Sequence, residues 1–114
     1  MNKLYPHCIK STLLLCGVVD DSNKLISDYG TVVKQVGCLE NAMINCLRKS
    51  DIVTRYGVAQ MLILLWGTPK ENAPVVIDRI NAAYNMLNMD SRYHIEYIVL
   101  DENKIVLPKT DERV

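Results

Sequence analysis

The chain has 114 residues, 49% of them hydrophobic and 23% charged, with a formal net charge of zero. That length fits one domain that buries its own core without disulfides or metal. Zero net charge removes the broad basic field of a nucleic-acid or anionic-membrane binder, and no apolar run approaches the roughly 20 residues of a membrane span.

Met1-Asn2-Lys3-Leu4-Tyr5-Pro6 lacks the long apolar stretch and small-residue cleavage site of a signal peptide. Cys8, Cys16, Cys38 and Cys46 contain no C-x-x-C pair, so no zinc site is expected. They read as buried free thiols, a usage that suits the reducing cytoplasm. His7 and His94 have no partners at metal-ligand spacing and read as surface or strand residues. No metal or cofactor is expected.

In chain order, residues 12–19 form an apolar run of the length of a strand covered on both faces. Asp20-Asp21-Ser22-Asn23 breaks it. Residues 24–29 suggest a short helical turn that ends at Gly30. Residues 31–49 have helical periodicity, with Val32, Val36, Leu39, Met43 and Leu47 on one face. Gly37 weakens that helix by about 1 kcal/mol relative to alanine, so it marks an expected close contact. Residues 52–56 and 61–66 are strands joined by a tight turn over Gly57 to Gln60, a hairpin. Thr68, Pro69 and Glu71 have the spacing of an N-cap, a first helical proline and a capping box. The helix they start carries Val76, Ile77, Ile80, Ala83, Tyr84 and Leu87 on its apolar face. Trp66 is expected to pack under that helix. Residues 93–100 make a further strand, with Tyr93, Tyr97 and Val99 alternating on one face as sheet packing or, alternatively, a partner surface. Asp101-Glu102-Asn103 turns it into a last strand over residues 104–107. Residues 1–11 and 108–114 read as flexible ends of a single domain over 1–114.

This order fits the α+β class: helices packed on one mostly antiparallel sheet, a nucleotide-cyclase or palm-like sandwich. Fold alone names no function.

Leu47-Arg48-Lys49-Ser50-Asp51-Ile52-Val53-Thr54-Arg55-Tyr56-Gly57 is similar to the segment that leads into the hairpin of bacterial diguanylate cyclases, the GGDEF family. There the run is typically L-R-x-x-D-x-v-a-R-y-G-G-D/E-E-F. Asp20 and Asp28-Tyr29-Gly30 resemble the family's D-x-D-x-F-K-x-x-N-D-x-y-G stretch. Leu62 to Leu65, Thr68-Pro69, Glu71, Ala73 and Arg79-Ile80 match its next strand and helix without a gap. The resemblance spans about residues 12 to 100. The helix that usually opens such domains, with D-x-L-T-x-L-x-N-R, and the closing helix with A-x-x-x-A-K are absent. The chain therefore reads as a piece of a larger protein or a minimal variant. A looser likeness links L-R-K-x-D-x-x-T-R-Y-x-x-x-Q-x-x-x-L-L to degenerate GGDEF-like segments of bacterial transcriptional activators. It implies other domains of a parent protein, with any DNA binding outside this sequence.

The departures from the family pattern fall on its chemistry. The family holds Mg²⁺ through a first-strand Asp and the third hairpin position, and the metal bridges the GTP phosphates. By alignment these positions are Val18 and Ala59, neither with a side-chain oxygen. The second hairpin glycine, which lets backbone approach the nucleotide, is Val58. Gly57 is kept, the fourth hairpin position is Gln60, and the final Phe is Met61. The guanine-contacting Asn falls at Ile26, and a second guanine-reading Asp is expected near Lys34 and Gln35. Asp20 and Asp21 survive, but adjacent residues of an extended strand end face opposite ways. Loss of both metal ligands implies loss of phosphoryl transfer.

What the resemblance implies to be retained is a binding site. In many family members an R-x-x-D motif before the hairpin holds c-di-GMP as an inhibitor. Arg48-Lys49-Ser50-Asp51 has that spacing, and Arg79 falls where a helix-borne Arg often contributes. Arginine forks suit phosphates and guanine edges, and a carboxylate accepts from guanine N–H groups. The competing reading is local: basic residues favour a helix C-terminus, and Ser-Asp opens turns. Three function classes follow. They are a catalytically silent regulatory domain that binds c-di-GMP or another nucleotide, a ligand-free interaction or homodimerisation module, and, least supported by the residues, an active cyclase or palm-type enzyme. No direct nucleic-acid or membrane partner is expected.

Overall fold

A computed structural model describes residues 11–100. The readings of His7, Cys8, the turn at 101–103, the strand over 104–107 and the flexible ends 1–11 and 108–114, Ser11 apart, lie outside the described residues. The elements are β1 (Thr12–Val19), α1 (Tyr29–Cys46), β2 (Ile52–Gly57), β3 (Gln60–Leu65), a 3-10 turn (Lys70–Asn72), α2 (Ala73–Leu87) and β4 (His94–Leu100). The four strands form one antiparallel sheet in the order β2-β3-β1-β4.

Side chains alternate across a strand, so register sets which residues share a face. Leu14, Cys16 and Val18 lie beside Met61, Ile63 and Leu65 on one flank and Ile95 and Tyr97 on the other. They join Val32, Val36, Leu39 and Met43 of α1 and Ile80 and Tyr84 of α2 in a single core. Both helices thus pack on the same face of the sheet, as the α+β reading requires. β1 is not covered on both faces: Leu13 and Leu15, which point the other way, are only half-buried.

The two helices run antiparallel. Cys38 donates its S–H to the Leu87 carbonyl at 3.7 Å, and Cys46 to that of Arg79 at 3.3 Å. Only Cys16 among the described thiols is fully buried; Cys38 and Cys46 are half-buried between the helices. Deeper in, the Tyr84 hydroxyl donates to Gln35 Oε1 at 2.6 Å, which satisfies one polar group from each helix inside the core.

Several local expectations are corrected. Residues 24–28 form no helical turn. Leu25 bridges back to Val19, and Asp28 caps α1 by accepting from the Thr31 N–H at 3.1 Å. Gly30 therefore lies in the first turn of α1 and ends nothing. A Cβ on Gly37 would meet no atom within 4 Å, so that glycine answers no packing demand. Thr68 does not cap α2: the chain passes through the 3-10 turn first, and Pro74 takes the early helical position. Trp66 is half-exposed in the turn after β3 and is not under α2. Leu87 is exposed at the end of α2. Tyr93 and Tyr97 do pack toward the core, and the Tyr97 hydroxyl reaches Asn81 Oδ1 at 2.8 Å.

Tyr84→Phe strands Gln35 Oε1 in the core and should cost about 1–3 kcal/mol in urea denaturation; an unchanged midpoint would contradict this packing account. Burial pushes the Cys16 thiol up to about 12 and raises Tyr84 and Tyr97. These groups are more acidic in the unfolded chain. Their contribution to stability is intact below about pH 9 and is lost as pH rises toward 12. The urea midpoint should fall across that window, less steeply in Cys16→Ala.

Candidate functional site

Positions 18, 26 and 59 come together. The Val18 N–H donates to the Ala59 carbonyl at 3.0 Å, and the Ile26 N–H donates to the Val18 carbonyl at 3.1 Å. All three side chains are buried in the hydrophobic core, with Val18 at 0% and Ala59 at 3% exposure. Met61 is buried beside them, opposite Cys16 and Arg55. The backbone thus brings positions 18 and 59, to which the resemblance assigns the metal ligands, side by side, and hydrocarbon fills them. Among the described residues no three His, Cys, Asp or Glu side chains converge as a metal-binding group.

The hairpin tip follows the same pattern. β2 slips register between Arg55 and Gly57, so that Gly57 pairs with Gln60. A Cβ on Gly57 would sit 3.0 Å from Gln60 Oε1, the far end of a flexible side chain. Val58 is 64% exposed at the tip. A trough of about 430 Å³ between α1 and the tip is walled by Val32, Val33, Val36 and Val58. Its one cation, Arg55, lies 3.5 Å from Glu40 and donates to the Gly57 and Val58 carbonyls. Asp20 turns its carboxylate onto the Ser22 and Lys24 N–H groups, which lowers its pKa, and Asn23 takes the left-handed conformation at φ 63°.

The polar groups that converge lie between the C-terminal end of α1 and the start of α2. Arg48, Asp51 and Arg79 line one open cleft of about 380 Å³ with Cys46, Thr68 and Val76. The Asp51 side chain is only 4% exposed. Its Oδ2 accepts from the Arg48 N–H at 2.9 Å and its Oδ1 from the Trp66 N–H at 3.2 Å. Arg48 closes the clasp from the other side. Its Nη2 donates to the Trp66 carbonyl at 2.7 Å and to Thr68 Oγ1 at 3.0 Å, and lies 3.5 Å from Asp51 Oδ1. The guanidinium remains 59% exposed. Arg79 is exposed on α2 and enters no ion pair among the described residues.

Two cations, one spoken for in part and one unengaged, therefore face a cleft of the size that small ligands use. Fork-shaped guanidinium donors match phosphate oxygens and the Hoogsteen edge of guanine. The Asp51 carboxylate already holds two backbone donors, so the arginines are the groups with donors to spare. Sequence spacing pointed to Arg48 and Asp51. It gave no sign that Trp66 and Thr68 complete the clasp, because those contacts span 15 to 20 residues.

Asp51→Ala leaves the Arg48 and Trp66 N–H groups without their acceptor and should cost on the order of 2 kcal/mol in urea denaturation. Asp51→Asn keeps one acceptor and should cost less. Equal, negligible losses would show that the clasp holds nothing together.

No protein-family model matches the chain, and no characterised protein sequence matches it. Solved structures do. A DGC protein from Thermotoga maritima superposes with a TM-score of 0.59 at 20% identity, over 81% of this chain and 65% of that one. The diguanylate cyclase SiaD of Pseudomonas aeruginosa, solved in complex with its activator SiaC, superposes with a TM-score of 0.63 at 18% identity, over 82% of this chain and 38% of that one. This chain thus spans less than two thirds of either neighbour. At these identities the likeness shows architecture: the chain has the fold of diguanylate cyclase GGDEF domains.

Proposed function

We propose that this is a catalytically silent GGDEF-like regulatory domain of bacterial cytoplasmic signalling, whose Arg48–Arg79 cleft binds c-di-GMP or a closely related guanine nucleotide. The observation that carries the reading is a contrast within one fold. The positions that the resemblance assigns to Mg²⁺ are packed with Val18 and Ala59, and the one it assigns to guanine with Ile26. The cleft behind them still gathers Arg48, Asp51 and Arg79. Phosphoryl transfer in this family rests on metal charge and positioning, and neither buried position offers an oxygen. A cleft with two guanidinium groups needs no metal to recognise a doubly phosphorylated guanine ligand. The protein would act as a receiver of the nucleotide, passing its occupancy to other domains of a parent protein such as a transcriptional activator.

Titration calorimetry with c-di-GMP should give saturable, single-site heat. Arg79→Ala should weaken binding by about tenfold or more, the scale of one lost charge-assisted contact. Arg48→Ala should weaken it further, because it also opens the clasp. Incubation with GTP and Mg²⁺ should yield no c-di-GMP. Absence of heat at high micromolar ligand would overturn the binding half of the proposal, and metal-dependent product formation the silent half.

A further inference from the structure

Gln35 is 1% exposed, yet only one end of its amide is hydrogen-bonded among the described residues. The 2.6 Å contact with the Tyr84 hydroxyl has the length of an O–H···O bond, which assigns that end as Oε1 and the other as Nε2. Buried N–H donors without an acceptor are few in native proteins, because nothing offsets their desolvation. Gln35 lies against a hollow of about 270 Å³ between the first turns of α1 and the loop that joins α2 to β4.

Two acids and two bases line this hollow. Asp90 and Arg92 neutralise each other, with both carboxylate oxygens accepting from the guanidinium. Asp28 and Lys34 are not so matched. Asp28 Oδ2 accepts from the Thr31 N–H and hydroxyl as the cap of α1, which leaves Oδ1 with no donor among the described residues. Lys34 is exposed and enters no ion pair among them. The walls therefore offer one carboxylate oxygen, one ammonium and one buried pair of amide N–H groups. A simple anion would face Asp28, and a simple cation would face Lys34. A zwitterion answers both. The volume lies just under the range of pockets that enclose drug-sized ligands, which suits a free amino acid better than a nucleotide.

We propose that this hollow binds a free amino acid, its carboxylate on Lys34 and Gln35 Nε2 and its ammonium on Asp28. The resemblance puts a guanine-reading Asp near Lys34 and Gln35. With Oε1 committed to Tyr84, Gln35 offers donors only and does not accept from guanine N–H groups. The hollow is at the N-terminal end of α1 and the Arg48–Arg79 cleft at its C-terminal end, so the two sites stand or fall separately.

The Gln35 side-chain NH₂ pair, assigned in amide nitrogen–proton correlation spectra of the full chain, reads the site directly. Titrated with the common amino acids one at a time, it should shift along a saturable curve with at least one of them. For that amino acid, the analogue without the ammonium and the analogue without the carboxylate should each bind at least about tenfold more weakly. Lys34→Met, at an exposed position, should weaken binding about tenfold or more. Asp28→Asn keeps a good helix cap and should weaken binding of the amino acid but not of its ammonium-free analogue. Arg79→Ala should change none of this. A Gln35 pair that stays fixed with every amino acid up to about 10 mM overturns the proposal. So does an equal response to inorganic phosphate or to the ammonium-free analogue, or binding that survives Lys34→Met undiminished.

Discussion

The Asp51 carboxylate is the contact on which the site depends. It holds the Arg48 N–H just beyond α1 and the Trp66 N–H just beyond β3 with its two oxygens. Those two points lie 18 residues apart in sequence, and Arg48 repeats the link through the Trp66 carbonyl and Thr68. The clasp fixes where α1 ends, where β2 begins and how the chain turns toward α2. It thereby brings Arg48 across from Arg79. A hydrogen bond to a charged group contributes more than a neutral one, and this carboxylate makes two in near-complete burial. The competing local reading of Arg-x-x-Asp as a turn is thus correct as far as it goes: Asp51 does cap its own turn. The same arrangement also builds the cleft.

The packing at positions 18, 26 and 59 also follows from register. β1 and the hairpin must lie side by side for the fold to exist, which brings positions 18 and 59 together whatever residues they hold. With oxygen ligands that junction would be a charged pocket needing a cation. With Val18, Ile26 and Ala59 it becomes core, and it contributes to stability through burial. Around the hairpin the surface carries the Glu40–Arg55 pair and the valine-walled trough.

Much of this was legible in the sequence because it rests on periodicity. β1 agrees to the residue, and the α1 face of Val32, Val36, Leu39 and Met43 is the observed core face. The hairpin shifts by a single position. What local pattern could not deliver was decided by contacts far apart in the chain. Thr68 has the spacing of a helix cap, but its hydroxyl is taken by Arg48 and the proline-led start moves to Pro74. Residues 24–28 look weakly helical, yet Leu25 is drawn back to β1, over Gly17. A strand with apolar residues on both faces suggested two covered faces, whereas the helices cover one. The leucines on the other face remain as the feature that a single chain's sequence cannot interpret without register.

The lone tryptophan offers the most direct measurement of the central claim. Trp66 is half-exposed, and both its backbone polar groups belong to the clasp beside Arg48. A ligand that engages the Arg48 and Arg79 guanidinium groups must alter the surroundings of that indole. Its fluorescence, titrated with c-di-GMP, should change along a saturable curve in the wild-type chain and need about tenfold or more ligand in Arg79→Ala. Emission from the folded wild-type chain that does not respond to c-di-GMP, or a response that survives Arg79→Ala undiminished, would contradict the account.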